Sequence, residues 1–287
     1  MALKSVLFCA AVSAWLIPAL SWAQGINTNV ALPVAKGEGI SRTQLRWMRA
    51  SDDPSPLDRK IRTAVAPQTL VLGLTPELSL FATLPVLLHQ KVDRALGRQH
   101  TDPAFGDVTL LARQMLYVDD YGALSTRRVA LLAGIKLPTG ADRFGTQTFD
   151  PIVGGVATWA ANRHELDVDG LYTLGTRRHG RETGDRLRYD IAYRYRLWPD
   201  RFGPRLLQLN AVLELNGVWA ARSRLHGRTL RDSGGSTLFL SPGIQLTALR
   251  WILEASLQLP IAQNLKGQQV ETDFIAVLSV RIPFQWD

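Results

Sequence analysis

The sequence predicts an all-β protein: a transmembrane, antiparallel, up-and-down β-barrel of about twelve strands. Three observations predict this fold. Apolar and polar residues alternate along one segment after another, short and long polar links separate these segments in turn, and the N-terminus resembles an export signal. We expect the polar faces of the strands to enclose a charged lumen and the apolar faces to contact lipid.

The N-terminal residues 1–23 have the organisation of a cleavable signal peptide. Lys4 supplies a basic start, an apolar stretch follows, and Ser21 and Ala23 are the small residues that a signal peptidase reads. We therefore expect a signal peptide over 1–23, a short periplasmic segment over 24–36 and an outer-membrane barrel over 37–287.

Composition limits the remaining classes of protein. At 46% hydrophobic residues the chain is too apolar to be disordered, and its one cysteine, Cys9, lies within the predicted signal, so no disulfide is expected. Beyond residue 23 no apolar run approaches the roughly 18 residues of a membrane-spanning helix. A mature chain that crosses a membrane must then do so as a closed barrel.

The alternation is clearest over residues 186–197, where the odd positions are Leu, Tyr or Ile and the even positions are Arg, Asp or Ala. A helix would scatter these arginines over all of its faces, whereas a strand has one apolar and one charged face. Twelve such strands are predicted, of which the second and the sixth are the least regular. They lie near 38–50, 62–74, 77–89, 106–118, 126–137, 151–161, 164–174, 185–197, 206–221, 236–248, 251–261 and 272–285.

The links between these strands alternate in length. Short links are predicted near 75–76, 119–125, 162–163 and 249–250 with a moderate one at 199–205, and longer ones over 51–61, 90–105, 138–150, 175–184, 222–235 and 262–271. Short periplasmic turns and longer external loops are typical of outer-membrane barrels. The even strand count places both termini on the periplasmic side.

A soluble β-sandwich or a lipocalin-like barrel would show the same alternation with its apolar faces turned inward. Three features favour the membrane: the strands are long, Arg and Asp occur together on the polar faces, and aromatic residues lie near the ends of the apolar faces. These aromatic residues are Trp47, Tyr172, Tyr193, Tyr195, Trp219, Trp251 and Trp286.

Three short segments resemble a family of proposed outer-membrane transporters of the phenol meta-pathway degradation type. They are Gly106-Asp107 opening a strand toward Arg113, the segment Gly134–Gly140, and the segment Leu257–Gly267. The resemblance covers roughly residues 60–285 and implies an outer-membrane barrel that transports hydrophobic or aromatic compounds. One departure is that Asp287 follows the alternating Phe284 and Trp286, where many such barrels end on an aromatic residue.

The predicted lumen carries charges of both signs. The candidate lumen-lining residues are Asp107, Arg113, Lys136, Glu165, Asp167, Asp169, Arg186, Arg188, Asp190, Arg194, Arg196, Glu214 and Glu254. Neighbouring strands near 165–169 and 186–196 should set carboxylates against guanidinium groups. Either these groups form a constriction that selects solutes, with Arg188, Arg194 and Arg196 setting the ion preference, or they fill a narrow barrel with salt bridges.

The function expected is passive passage of small solutes, aromatic or apolar in class, with the permeant unknown. The alternative is a structural or lipopolysaccharide-interacting barrel without an open pore. Expected partners are outer-membrane lipid, lipopolysaccharide and the barrel-assembly machinery, with no nucleic acid. Arginines near the loops could bind lipopolysaccharide phosphates or be ordinary solvated charges: Arg177, Arg178, Arg181, Arg222, Arg224 and Arg228.

A membrane-embedded hydrolase is the third hypothesis. It would pair Ser236 or Ser241 with His164 or His179, although such pairs occur in any chain of this length. The five histidines have no metal-ligand spacing with one another or with the cysteine, so neither a metal nor another cofactor is expected.

Overall fold

The computed structural model describes residues 25–94, 97–141, 144–199 and 207–286. The predicted signal peptide and most of the link at 199–205 lie outside these residues. No helix in the described ranges is long and apolar enough to cross a membrane.

The described residues form twenty β-strands. These are β1 (Glu38–Asp52), β2 (Lys60–Val65), β3 (Gln68–Gly73), β4 (Leu78–Leu84), β5 (Val86–Arg94), β6 (Gly97–Thr101), β7 (Ala104–Phe105), β8 (Thr109–Gly122), β9 (Ser125–Lys136), β10 (Asp150–Ala161), β11 (His164–Thr173), β12 (Arg177–Arg178), β13 (Arg181–Glu182), β14 (Arg186–Trp198), β15 (Gln208–Ala220), β16 (Arg224–Leu225), β17 (Arg228–Thr229), β18 (Gly235–Thr247), β19 (Ile252–Leu265) and β20 (Glu271–Gln285).

Sixteen of these strands form one antiparallel sheet that closes into a barrel, because β20 pairs with β1 from Glu38 opposite Gln285 to Asp52 opposite Glu271. The wall has twelve crossings, as predicted. Nine crossings are single strands, and the other three are built from β2 with β3, from β4 with β5, and from β6 and β7 with β8.

The two faces of each crossing confirm a membrane barrel. On β14, Tyr189, Ile191 and Tyr193 point outward and are 40–45% exposed, whereas Asp190 and Ala192 point inward and are almost completely buried. A soluble barrel would have the opposite arrangement. The outer face is apolar, as contact with lipid requires. The closed sheet pairs the backbone polar groups within the wall, because lipid offers them no partner.

Three neighbouring crossings are interrupted at the same height in the barrel wall. Pro67 separates β2 from β3, Pro85 separates β4 from β5, and Gly106 to Val108 separate β7 from β8. Proline cannot donate to the ladder, so strands break there. Hydrogen bonds still cross the breaks, from Ala66 N to the Val86 carbonyl (2.7 Å) and from Gly106 N to the Pro85 carbonyl (2.7 Å). The second crossing is irregular as predicted, but the sixth, β10, is regular, and the breaks in the third and fourth crossings were not foreseen.

Three predicted loops are in part strands. Within the predicted loop over 90–105, residues 90–94 continue β5 and pair with β6, so the described residues extend the wall and do not form an irregular loop. The predicted loops over 175–184 and 222–235 contain β12, β13, β16 and β17, which form a separate four-stranded sheet. We call it the outer sheet. The predicted short links occur as tight turns at the other end of the barrel, which we call the short-turn end.

Candidate functional site

Residues 25–34 lie inside the barrel. The side chains of Ile26 and Ala31 are completely buried, and those of Val30 and Val34 are 1% exposed. This finding corrects the expectation of a periplasmic segment over 24–36, of which residue 24 is not described. In water these apolar side chains would be exposed, whereas in the lumen they pack against inward-facing apolar residues. We call residues 25–34 the plug.

The backbone N–H groups of the plug donate to polar side chains of the wall. Asn27 N donates to both carboxylate oxygens of Glu214 (3.0 Å each), and Asn29 N donates to Asp169 Oδ2 (2.5 Å). Ala31 N donates to Thr158 Oγ1 (2.8 Å). Buried backbone donors need partners, and these side chains provide them in place of a neighbouring strand.

The carbonyl groups of the plug accept from arginines of the wall. Arg281 Nη2 donates to the Gly25 carbonyl (2.7 Å), and Arg42 Nη2 donates to the Ile26 carbonyl (2.5 Å). Arg113 Nη1 donates to the Val30 carbonyl (2.8 Å). Charged groups on opposite walls therefore hold the plug by both sides of its backbone.

Apolar contacts seat the plug as well. Ala31 belongs to a buried cluster that includes Met115, Leu132 and Val156. Ile26 packs with Val212 and Val277 in a second cluster on the opposite wall, and Val34 packs with Ile40 and Val71 in a third. The plug thus fills the barrel from one wall to the other.

Carboxylates on β11 face guanidinium groups on β14, as predicted. Glu165 faces Arg194 across the ladder and forms an ion pair with it. Arg188 binds two carboxylates, Asp169 Oδ1 through Nη2 (3.5 Å) and Asp190 Oδ2 through Nε (3.0 Å). Asp169 and Asp190 are direct cross-strand partners, so this guanidinium offsets a repulsion between like charges.

A second network lies where the barrel closes. Glu254 on β19 binds Arg42 Nη2 on β1 (2.9 Å) and Arg281 Nη2 on β20 (2.8 Å). Both arginines also hold the plug. The sequence indicated that Glu254 points inward, but its pairing with Arg42 depends on barrel closure, which brings residues 212 positions apart into contact.

Asp107 organises the start of the loop after β9. Its carboxylate accepts from Gly140 N (2.9 Å), Thr146 N (2.6 Å) and Thr146 Oγ1 (2.7 Å). A Cβ atom at Gly140 would lie only 2.7 Å from Asp107 N, so glycine is required at this close approach. Lys136 forms an ion pair with Asp150 beside it. The Gly106-Asp107 and Gly134–Gly140 segments, two of the three that carry the family resemblance, thus meet at one place.

The structure places all thirteen candidate lumen-lining residues on the inner side of the wall. Those that are at most 6% exposed are Asp107, Arg113, Glu165, Asp167, Asp169, Asp190, Arg196, Glu214 and Glu254. Lys136, Arg188 and Arg194 are partly buried, and Arg186 is exposed at the mouth of the lumen. Sequence reasoning missed the plug, although its apolar residues over 26–34 were a signal of burial.

Two cavities lie on either side of the plug. The larger, about 580 Å³, is lined by plug residues 26–30 and by the wall toward the long loops. The smaller, about 310 Å³, is lined by Leu32 and by wall residues at the short-turn end, among them Arg128, Glu165, Arg194 and Arg196. The described lumen is therefore divided in two by the plug.

The two serine–histidine pairs proposed with His164 are not brought together. Ser241 is buried on the inner face and donates to Asn216 Oδ1 (2.6 Å), whereas His164 lies on the outer face, where its Nδ1 contacts the Tyr193 hydroxyl (2.6 Å). Ser236 lies at the opposite end of the barrel from His164. No group of three or more metal-ligating side chains occurs among the described residues.

Comparisons with known proteins agree with this architecture. A family model described as "Putative MetA-pathway of phenol degradation" matches residues 67–248, more than half of the chain. An outer membrane channel from Pseudomonas putida F1 superposes with a TM-score of 0.68 at 15% identity, covering 88% of this chain and 97% of that one. The translocator domain of the autotransporter NalP from Neisseria meningitidis gives a TM-score of 0.46 at 13% identity over 86% of this chain and 88% of that one. No curated protein matches significantly.

Proposed function

We propose that this chain, which belongs to that phenol-degradation family, is a channel of the bacterial outer membrane through which small solutes pass. Aromatic or apolar solutes are the expected class, since the matching family is described by phenol degradation and the outer membrane channel from Pseudomonas putida F1 has the same fold. Short turns face the periplasm in such barrels, so the long loops and the larger cavity face the cell exterior.

The observation that carries this proposal is that a single chain segment separates the two cavities. A barrel filled for stability alone would be packed along its whole length, as small eight-stranded barrels are. Here about 580 Å³ and 310 Å³ of space remain on the two sides of residues 25–34. In the proposed function the plug moves when a solute passes from one cavity to the other.

The contacts of the plug suit a movable element. No described residue of the plug belongs to a strand, and its backbone is held mainly by side chains. Such contacts can be exchanged for water one at a time, whereas a ladder must be opened along its length. The same contacts also fit the alternative, a barrel without an open pore. The test must therefore compare a free plug with one that is fixed to the wall.

A disulfide between the plug and the wall provides this test. Ala31 N lies 2.8 Å from Thr158 Oγ1, so the two residues are in contact, and an Ala31→Cys/Thr158→Cys pair is chosen to be joined by oxidation. The one native cysteine, Cys9, lies in the predicted signal peptide and does not interfere. We expect solute-dependent liposome swelling and single-channel current from the wild type, a loss of both in the oxidised pair, and recovery after reduction.

The two single-cysteine variants are the matched controls, and each should give the same current with and without oxidant. No current and no swelling from the correctly folded wild type would favour the barrel without a pore. Conductance that survives complete cross-linking would show that solutes bypass the plug. A hydrolase role is not part of the proposed function, because His164 lies on the opposite face of the wall from Ser241 and at the opposite end from Ser236.

A further inference from the structure

We propose that the larger cavity binds small organic anions: a carboxylate held by guanidinium groups, attached to an apolar or aromatic body. This inference rests on the proposed channel function and names the class of solute. It starts from the charged residues that line the cavity. The basic ones are Arg42, Arg46, Arg113, Lys136, Arg186 and Arg188, and the acidic ones are Asp107 and Asp150.

Three of these basic residues have no ion pair with any described residue. Arg46 donates to the side-chain oxygens of Gln258 (2.6 Å) and Asn27 (3.3 Å), which are neutral. Arg113 donates to the Val30 carbonyl and to Ser79 Oγ (3.3 Å), which are also neutral. Arg186 stands exposed at the mouth of the cavity. Neutral acceptors fill the hydrogen-bond donors of a guanidinium group, but they do not neutralise its positive charge. In a region of low dielectric that charge attracts an anion strongly.

The plug produces this excess of positive charge in the cavity. The carboxylates of Glu214 and Asp169 accept hydrogen bonds from the plug backbone at Asn27 and Asn29, and neither of them lines the cavity. Asp190 is likewise covered and is bound to Arg188. An entering solute therefore meets mainly guanidinium and ammonium groups, although the whole lumen holds carboxylates in similar number.

Two acidic groups do face the cavity, and both are already engaged. Asp150 is paired with Lys136, and the oxygens of Asp107 accept from Gly140 and Thr146. Their presence reduces the positive excess without reversing it, since Arg46, Arg113 and Arg186 remain unpaired within the described chain.

The rest of the lining is apolar and suits a ring or an alkyl body. The guanidinium carbon of Arg113 lies 5.0 Å from the centre of the Phe81 ring. Other apolar lining residues are Val71, Leu111, Phe144, Ile152 and Leu171. A volume of about 580 Å³ is within the usual range for small-molecule sites, which combine apolar walls with a few placed polar groups.

Binding of benzoate and benzamide to the full mature barrel in lipid nanodiscs tests the inference, because the two probes share shape and differ in charge. We expect saturation-transfer NMR to show benzoate binding that is at least about tenfold tighter than benzamide binding. Arg46→Gln/Arg186→Gln should weaken benzoate binding by about tenfold or more, as expected for the loss of charge-assisted contacts, and leave benzamide unchanged. Arg46→Lys should retain most of the affinity for benzoate.

Arg228→Gln, in the outer sheet and away from the cavity, is the matched control and should bind both probes as the wild type does. Heat-modifiable gel mobility verifies that each variant is folded. Equal affinity for the two probes, or wild-type benzoate binding by the double glutamine variant, overturns the anion site. If the channel still conducts in that case, the proposed function stands and only its solute class is wrong.

Discussion

The two faces of β14 impose different demands on the same strand. Outward, Tyr189, Ile191 and Tyr193 need only be apolar, since lipid offers no partner that a particular side chain must match. Inward, Arg194 needs one specific group, the carboxylate of Glu165 on the neighbouring strand. The outer face should therefore tolerate the substitution of one apolar residue by another, whereas the inner face depends on specific ion pairs. Two predictions test this contrast, with the larger effect on the inner face, and a third sets an exposed loop ion pair beside them.

Arg194→Gln should destabilise the barrel by about 3–5 kcal/mol, because it leaves the buried Glu165 carboxylate without its cation. The free energy of unfolding is measured by urea titration of the barrel folded in lipid vesicles. The double variant Glu165→Gln/Arg194→Gln removes both charges and should cost clearly less than the single one. If single and double variants are equally destabilised, specific pairing is not what the inner face requires.

Ile191→Arg should cost about 2–4 kcal/mol, because this outward side chain lies near the middle of β14, where a charge meets the hydrocarbon core. Ile191→Leu is the matched control and should change the stability by less than about 1.5 kcal/mol. The same urea titration measures both. A tolerated arginine would mean that this face of β14 does not contact lipid, and the contrast between its outer and inner faces would then be wrong.

The smallest effect is expected outside the membrane, in the loop between β1 and β2. The Arg59 guanidinium donates to both oxygens of Asp53 (2.8 Å each) and holds the pKa of that carboxyl well below its usual range. Because the pKa is lowered in the folded state, this stabilisation is present above the ordinary pKa of about 3.9 and is lost as the pH falls toward the folded value.

Carbon-13 NMR of the Asp53 carboxyl should therefore show a group that is still ionised near pH 3–4, where an unperturbed aspartate takes up its proton. Arg59→Gln should move the titration back toward the ordinary range while changing the stability at pH 7 less than either strand variant. A titration of Asp53 that Arg59→Gln leaves in place would mean that the loop ion pair does not form in the membrane-bound protein.

Much of the barrel could be predicted from the sequence because alternation is a local property. The repeat of Leu, Tyr and Ile at odd positions over 187–197 is enough to assign a strand and the lipid-facing side of β14. The same reasoning located all twelve crossings and the inward direction of residues such as Glu214 and Glu254. The breaks at Pro67 and Pro85 have a local signal too, since proline interrupts a ladder, although their alignment across neighbouring strands depends on register.

The sequence by itself determined that this protein is an exported chain forming a closed membrane barrel with a charged interior. Both the apolar N-terminal stretch and the alternation of apolar and polar residues are properties of residues that are neighbours in the chain. Only the tertiary structure decided which charges meet, that Glu254 lies between Arg42 and Arg281, and that residues 25–34 enter the lumen instead of remaining outside it. The physical reason is that these contacts depend on barrel closure and strand register, which bring together groups separated by as much as 256 positions in the chain.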